Sequence, residues 1–249
     1  MQAMASQTTA DYATPPPALA ARLLAKAKTG KINATAHRPV KKIAIDSNLL
    51  PWVPSPLEGI ARRMLERDGD EIARATSVVR YAPGSSFASH CHDFGEEFLV
   101  LSGVFEDEYG EYPAGTFVKN PPGSTHSPRS KDGCTLFVKL RYLDPDDTER
   151  LVIHTRSAAW LPGLVPGLAV MPLATFGTTS SALVRWAPGT YFNPHRHFGG
   201  EEIFVIQGVF EDEYGRYPEG FWLRSPHMSS HKPFSVEGCT IWVKTGHLL

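Results

Sequence analysis

Short apolar runs alternate with turns rich in glycine and proline along most of the chain. The segments GIARRML at 59–65 and ARATSVVRYAPG at 73–84 are rich in apolar and β-branched residues and flank an Asp68-Gly69 pair. Such runs on either side of an Asp-Gly turn are typical of two strands joined as a hairpin. The 21 prolines and 21 glycines also favour a β-rich sandwich or barrel over a helical bundle. The pattern therefore predicts an all-β fold.

The same order of elements occurs twice. The stretch GSSFASHCHDFGEEFLVLSG at 84–103 returns 105 residues later as GTYFNPHRHFGGEEIFVIQG. Trp52 and Trp160 are 108 residues apart, so the first copy has three additional residues near its Asp68-Gly69 turn. Differences in length belong in turns, which supports the strands assigned on either side. The repeat predicts two domains in tandem.

Composition and the repeat divide the chain into three parts. Residues 1–40 are rich in Ala, Thr, Pro and Lys and predict a flexible N-terminal tail with a short helix at 18–28. A basic organelle transit peptide is the alternative interpretation of this tail. The polar stretch DPDDTER at 144–150 places the boundary between the repeats. We expect the first β domain at 41–147 and the second at 148–249.

Charge and cysteine content narrow the classes of function. The formal net charge is −1, so the chain lacks the basic surface that nucleic acid or an anionic membrane requires. No apolar run is long enough to span a membrane, and the first residues lack a secretory pattern. The three cysteines have no C-x-x-C spacing, which indicates neither a disulfide framework nor a thiolate zinc cluster and fits a reducing compartment. We expect a cytoplasmic protein that binds neither nucleic acid nor membrane.

Each copy of the repeat carries the residues of a metal site. Two histidines flank one residue, a glutamate follows four positions later, and a third histidine comes after a Pro-rich turn. On an extended strand, residues two apart share a face with their Cα atoms roughly 6.6 Å apart, so both imidazoles can point at one ion. Three imidazoles and a carboxylate suit Fe(II), Zn(II), Mn(II), Ni(II) or Cu(II) and leave one or two positions for water or substrate. The predicted ligands are His90, His92, Glu96 and His126 in the first copy, and His195, His197, Glu201 and His231 in the second.

A lone histidine on a strand is usually structural, but here six of the ten histidines fall in the pattern. Both copies keep all four candidates while residues between them differ, as Cys91 does from Arg196. Metal binding at one site or more is therefore the favoured interpretation. The shared FEDEYG segment predicts a hairpin with solvated carboxylates rather than an acidic site. Glu97 and Glu202 should point outward on a regular strand, with a role beside the ligands or at an interface as the alternative.

The motifs resemble those of double-domain cupins. The pattern Gly-x5-His-x-His-x3-Glu-x6-Gly is met in full in both copies, at 84–103 and 189–208. The second cupin motif ends in Ser130 instead of Asn, and its second copy has Met228 in place of a glycine. The resemblance implies two antiparallel jelly-roll, or double-stranded β-helix, barrels in tandem, with the eight predicted ligands holding metal. Because Met228 departs from the pattern, the sequence favours the first site slightly.

The sequence around these motifs is similar to that of the cupin domain of ChrR-type anti-sigma factors and of related cupin dioxygenases. The segments RATSVVRYAPG, GEEFLVLSGVFEDEYGEYPAGTFVKNPPGSTH and GCTLFVKL carry the similarity. It implies a homodimeric non-haem Fe(II) dioxygenase that uses O2 to cleave a carbon–carbon bond in a small β-diketone, hydroxyketone or phenolic compound. The alternative is a zinc-dependent module that senses an oxidant or small molecule. The HxxxCxxC signature of the sigma-binding domain in ChrR proteins is absent from this sequence.

Overall fold

The computed structural model describes residues 42–68 and 73–248. The predicted N-terminal tail and its helix lie outside these residues, as does the Gly69 half of the predicted turn. The regular secondary structure of the described part is strand, apart from one short 3-10 helix at Ser47–Leu49. Asp46 caps this helix, since its carboxylate accepts a hydrogen bond from the backbone N–H of Asn48. The predicted all-β class is confirmed.

The described part of each repeat forms twelve strands in the same order. The first repeat contains β1 Ile43–Asp46, β2 Val53–Pro54, β3 Ile60–Asp68, β4 Arg74–Tyr81, β5 Ser85–Ser86, β6 His90–His92, β7 Glu96–Asp107, β8 Gly110–Pro113, β9 Thr116–Asn120, β10 Ser124–His126, β11 Arg129–Ser130 and β12 Cys134–Leu140. The second repeat contains β13 Leu151–His154, β14 Leu161–Pro162, β15 Leu168–Phe176, β16 Thr179–Trp186, β17 Thr190–Tyr191, β18 His195–Arg196, β19 Glu201–Asp212, β20 Gly215–Pro218, β21 Phe221–Ser225, β22 Ser230–His231, β23 Phe234–Ser235 and β24 Cys239–Thr245.

The strands form two large antiparallel sheets and two small ones among the described residues. One ten-stranded sheet runs β13-β9-β7-β12-β4-β3-β2, and the other runs β1-β21-β19-β24-β16-β15-β14, each with shorter strands attached at its side. A two-stranded sheet of β6 and β10 lies in the first repeat, and β18 pairs with β22 in the second. Two tandem antiparallel barrels result, in agreement with the predicted architecture.

The two repeats exchange their opening strands. Strand β1 pairs with β21 of the second repeat, from Ile43 opposite Arg224 to Asp46 opposite Phe221. Strand β13 pairs in the same way with β9 of the first repeat. Each large sheet therefore takes an edge strand from the other half of the chain. The domain limits drawn at 147 and 148 stay a prediction about the repeat, because hydrogen bonding between strands crosses that boundary in both directions.

The described residues form three buried apolar clusters between the sheets. Each barrel has its own core, and a third cluster joins the repeats, with Leu99 from β7 and Trp242 from β24 among its members. The rings of Phe137 and Phe204 stack across this junction with centroids 4.5 Å apart. Burial of one large apolar side chain stabilises a fold by about 1.5–3 kcal/mol, so the junction contributes substantially to stability. The two halves pack on each other, as expected from the sequence.

The glycine that closes the first motif is required by a close approach of two strands. Gly103 on β7 has a φ of 73°, and a Cβ at this position would lie 2.1 Å from the carbonyl oxygen of Gly133. Gly208 and Gly238 make the same approach in the second repeat, where the corresponding distance is 2.2 Å. Only a residue without a side chain fits this conformation and this space. The barrel could not close beside the ligand-bearing strands with another residue there.

Candidate metal centres

The first cluster forms where two short strands pair. His90 and His92 lie on β6, and the register of β10 places His126 opposite His90. One ring nitrogen from each of the three histidines lies within 4.8 Å of the others. The Nε2 atoms of His92 and His126 are 2.9 Å apart. Neighbouring ligands on an ion with metal–nitrogen bonds of about 2.1 Å are separated by a similar distance, so this spacing suits shared coordination.

The glutamate of the first cluster, Glu96, lies at the start of β7, and residues 93–95 connect it to β6. Its Oε2 atom is 3.5 Å from His92 Nε2 and 3.7 Å from His126 Nε2. The same oxygen accepts a hydrogen bond of 3.2 Å from the side-chain amide of Asn120. Glu96 therefore faces the histidines, while a neutral donor already occupies one of its lone pairs.

The second cluster brings all four predicted residues together. Ligand atoms of His195, His197, Glu201 and His231 lie within 4.8 Å of one another. Strand β22 pairs with β18 so that His231 is opposite His195. Oε2 of Glu201 lies 3.5 Å from His197 Nε2 and 3.6 Å from His231 Nε2. The residue opposite Glu201 on β21 is Ser225, not an asparagine.

Three buried polar atoms in the second cluster have no hydrogen-bond partner among the described residues: His197 Nε2, His231 Nε2 and Glu201 Oε2. A buried polar atom without a partner costs about 1–3 kcal/mol, and proteins seldom leave three together. A bound divalent cation would satisfy all three, because two neutral imidazoles and a carboxylate donate their lone pairs to it. The residues present therefore fit a metal ion.

Hydrogen bonds on the far side of the rings set which nitrogen faces the centre. His90 donates from Nδ1 to the carbonyl oxygen of Ala88 at 3.1 Å, and His195 donates from Nδ1 to Asn193 at 3.0 Å. A carbonyl oxygen only accepts, so the proton sits on Nδ1 and leaves Nε2 free. Both histidines are therefore held in the tautomer that coordinates through Nε2.

Two aspartates, Asp107 and Asp212, orient the rings of the third histidines. The sequence predicted that the carboxylates of the FEDEYG hairpin are solvated, and this prediction was wrong for these two residues. Asp107 and Asp212 are buried rather than solvated, at 2% and 4% exposure. Asp107 Oδ2 lies 3.3 Å from His126 Nδ1, and Asp212 Oδ2 lies 3.4 Å from His231 Nδ1. Carboxylates of this kind fix the ring and strengthen its lone pair toward a metal. The duplicated tyrosines that hydrogen-bond these aspartates, Tyr112 and Tyr217, were the signal available in the sequence.

Burial shapes the charge of the second cluster. It lowers the pKa of His197 to about 3, with His231 and His195 adding to the effect. It also raises the pKa of Glu201 to about 7. Burial alone would raise the pKa of Asp212, but hydrogen bonds from His231 and Lys42 lower it to about 2. Neutral His197 is in the form that donates to a metal.

Glu97 and Glu202 do not point to solvent as a regular strand predicted. They are 3% and 0% exposed and lie at the junction between the repeats. Glu97 accepts hydrogen bonds from Lys244 and Ser181 of the second repeat. Glu202 pairs with Lys139 of the first repeat. The outward prediction failed because the second face of β7 and β19 is covered by the other sheet, and the interface alternative is the correct one.

Met228 occupies the turn where the motif expects a glycine. It has a φ of 61°, and Gly123 at the equivalent place has a φ of 80°. A non-glycine residue in this left-handed region carries strain of order 1 kcal/mol or more. Even so, His231 lies with the other three predicted ligands, so the methionine in this turn does not displace the third histidine.

Two tandem antiparallel barrels, each with a His-x-His pair, a glutamate and a third histidine gathered at one point, define a double-domain cupin. The chain belongs to the ChrR cupin-like domain family, whose model matches residues 40–144 and 148–249. A comparison with curated proteins gives no match in sequence. No helix in residues 42–68 or 73–248 has the length and apolar character needed to cross a membrane.

Solved structures with a similar fold include proteins of different description. A putative dioxygenase from Nostoc punctiforme has a TM-score of 0.72 and 13% identity, with 86% of each chain covered. Oxalate decarboxylase from Lactobacillus farciminis has a TM-score of 0.61 and 15% identity, covering 87% of this chain and 89% of its own. The 7S globulin of Momordica charantia has a TM-score of 0.57 and 12% identity, covering 84% of this chain and 85% of its own. Such likeness shows the fold and does not assign an activity.

Proposed function

We propose that the chain is a metal-dependent bicupin dioxygenase that uses Fe(II) and O2 to cleave a carbon–carbon bond in a small β-diketone, hydroxyketone or phenolic compound. The observation that carries the proposal is the set of unpartnered ligand atoms of His197, Glu201 and His231. Bound Fe(II) would supply a redox-active Lewis acid with positions left for a chelating substrate and O2. The metal would be held by the eight residues of the two clusters.

The protein's own residues would bind the metal, orient its ligands and shield the centre from water. The Nδ1 protons of His126 and His231 are engaged by Asp107 and Asp212, so these rings serve as ligands rather than as proton carriers. Phe87 packs on His90 with ring centroids 4.6 Å apart. An apolar ring at this position keeps water from one side of the centre and offers a surface to an apolar substrate.

The test begins with metal content and oxygen uptake. Protein purified without added metal is analysed for bound metal, then reconstituted with Fe(II) and supplied with a panel of β-diketones, hydroxyketones and phenols. Substrate-dependent O2 consumption that is lost in a His90→Ala/His195→Ala variant supports the dioxygenase. Tightly held zinc in both centres together with no O2 uptake across the panel would overturn it.

The second candidate is a zinc-dependent sensor of an oxidant or small molecule, and the match to the ChrR cupin-like family model favours it. A sensor needs a ligand-dependent change in shape or in a partner's affinity, whereas an enzyme needs turnover. Zinc-loaded protein that changes its hydrogen-exchange pattern upon addition of an organic hydroperoxide, without consuming substrate catalytically, would favour this function. Assembly into a homodimer stays a prediction for either candidate, and sedimentation of the 27.4 kDa chain tests it.

A further inference from the structure

Each of the exchanged strands β1 and β13 is directly preceded by a residue with a long basic side chain. Lys42 directly precedes β1, and Arg150 directly precedes β13. Because β1 lies in the sheet of the second repeat and β13 in that of the first, each cation is delivered to the opposite barrel. Both reach the layer of side chains directly behind the candidate ligands.

Lys42 acts on the second centre. Its ammonium donates to Asp212 Oδ2 at 2.5 Å and lies 4.1 Å from the ring centroid of Tyr214. The carboxylate of Asp212 is fully buried, while Lys42 is 26% exposed. The oxygen that binds Lys42 is also the one that accepts from His231 Nδ1 at 3.4 Å. The ammonium therefore helps to hold the carboxylate that orients a predicted ligand.

Arg150 acts on the first centre through two branches. Its Nη2 donates to Tyr112 Oη at 2.7 Å, and Tyr112 donates to Asp107 Oδ1 at 2.8 Å. Its Nε donates to Asn120 Oδ1 at 3.2 Å, so the amide nitrogen of Asn120 turns toward Glu96. One cation from the second repeat thus fixes the partners of two predicted ligands in the first.

We propose that Lys42 and Arg150 are positioning residues for the metal centre of the opposite repeat, so that each centre is completed by the other half of the chain. This inference rests on the proposed metal binding but not on dioxygenase activity. Residues behind a metal ligand, when altered, typically cost about 10–100-fold in metal affinity. A second effect opposes this one, because an ammonium repels a nearby cation. The geometry favours the first effect, because Lys42 and His231 donate to the same carboxylate oxygen and the ammonium fixes where that oxygen lies.

The test separates the centres. A His90→Ala/His92→Ala protein retains only the second centre, and a His195→Ala/His197→Ala protein retains only the first. Into each we introduce Lys42→Met, Lys42→Arg or Arg150→Met, and titrate with Co(II), followed by its visible absorption and by competition with a chelator. We expect Lys42→Met to weaken Co(II) binding by about 10-fold at the second centre and to leave the first unchanged. Arg150→Met should do the reverse, and Lys42→Arg should restore most of the loss.

A metal-free measurement accompanies the titration. In protein with 15N-labelled histidine, assigned with a His231→Gln variant, the ring of His231 should carry its proton on Nδ1. Lys42→Met should convert it to a mixture of tautomers, and Lys42→Arg should not. A purely structural role of Lys42 would leave the tautomer unchanged.

The outcomes separate the two proposals. Unchanged or tighter Co(II) binding at the second centre in Lys42→Met overturns the positioning role, as does equal weakening at both centres. If neither parent protein takes up Co(II), the proposed function fails, and the tautomer of His231 decides the positioning role alone.

Discussion

The ammonium of Lys139 in the first repeat lies 2.5 Å from the carboxylate of Glu202 in the second, and their side chains are 1% and 0% exposed. Lys244 and Glu97 make the same pair in the opposite direction. Burial lowers the pKa of Lys139 to about 8. It would raise the pKa of Glu202, but Lys139 and a hydrogen bond from His247 lower that pKa to about 2. Both members of the pair are therefore charged at neutral pH, buried in the junction between the repeats.

This pair predicts a strongly non-additive effect on stability. Removal of one partner from a buried ion pair leaves an unpaired charge and costs about 3–5 kcal/mol, whereas removal of both is often close to neutral. We expect Lys139→Met and Glu202→Gln each to lower the free energy of unfolding by that amount. The double variant should recover much of the loss. The amide oxygen introduced by Glu202→Gln can accept from Trp222, and its NH2 group can donate to the ring nitrogen of neutral His247, and these are the two side chains that contact the carboxylate. Urea denaturation of the four proteins measures the coupling, and simple additivity would contradict the prediction.

Metal removal should lower thermal stability. A ligand that binds only the folded state at about 100 times its Kd adds about 2.7 kcal/mol, which in a domain of this size corresponds to a rise in Tm of roughly 5–10 °C. We expect a chelator to lower Tm by that amount and Fe(II) or Zn(II) to restore it. The His90→Ala/His195→Ala variant serves as the control and should not respond to either addition. A wild-type Tm indifferent to metal and chelator would count against both centres.

Asp107 should matter through the ring of His126. Asp107→Asn keeps the size of the side chain but weakens the acceptor for His126 Nδ1, and we expect a loss of about 10–100-fold in metal affinity at the first centre. The control is Glu106→Gln on the same strand, because Glu106 pairs with Arg129 at the surface. Isothermal titration with Zn(II) in a background with only the first centre compares the two. Equal effects of both substitutions would assign the loss to the hairpin as a whole.

The two centres should differ in affinity. Asn120 donates to Glu96 Oε2, whereas Glu201 Oε2 has no donor among the described residues. The first carboxylate must give up or share a hydrogen bond when it binds metal, and a neutral hydrogen bond contributes about 0.5–1.5 kcal/mol. We therefore expect the second centre to fill first, which reverses the preference drawn from the motif.

Site-specific occupancy checks this order. One equivalent of Mn(II) is added to the metal-free protein, and the fraction bound is compared between the His90→Ala and His195→Ala variants. The His195→Ala variant should retain less metal. Preferential filling of the first centre would refute the ranking.

Several features of this protein could be predicted from local pattern alone. The strands at 60–65 and 74–81 and the position of Glu96 at the start of β7 follow from apolar runs and turn residues. Gly103 was identified only as part of a motif, and the reason for it, the contact with Gly133, involves strands distant in sequence. The solvated-hairpin interpretation failed at Asp107 for the same reason. Alternation specifies which face a residue takes, but not whether another strand covers that face.

The sequence by itself determined the β class, the duplication and the spacing of the eight predicted ligands. These depend on side-chain period, glycine and proline turns and residue spacing, all of which act over short stretches of chain. The fold brings ligand atoms of four of these residues together in the second repeat and of three histidines in the first, with Glu96 beside two of those histidines. Only the tertiary structure decided that β1 and β13 each pair with the sheet of the opposite repeat. The same holds for Glu97 and Glu202, which face the opposite sheet. It also decided that Lys42 and Arg150 each contact the residues behind the centre of the opposite repeat. Such contacts depend on how two sheets pack, and the free energy of that packing belongs to the assembled pair and to no single segment.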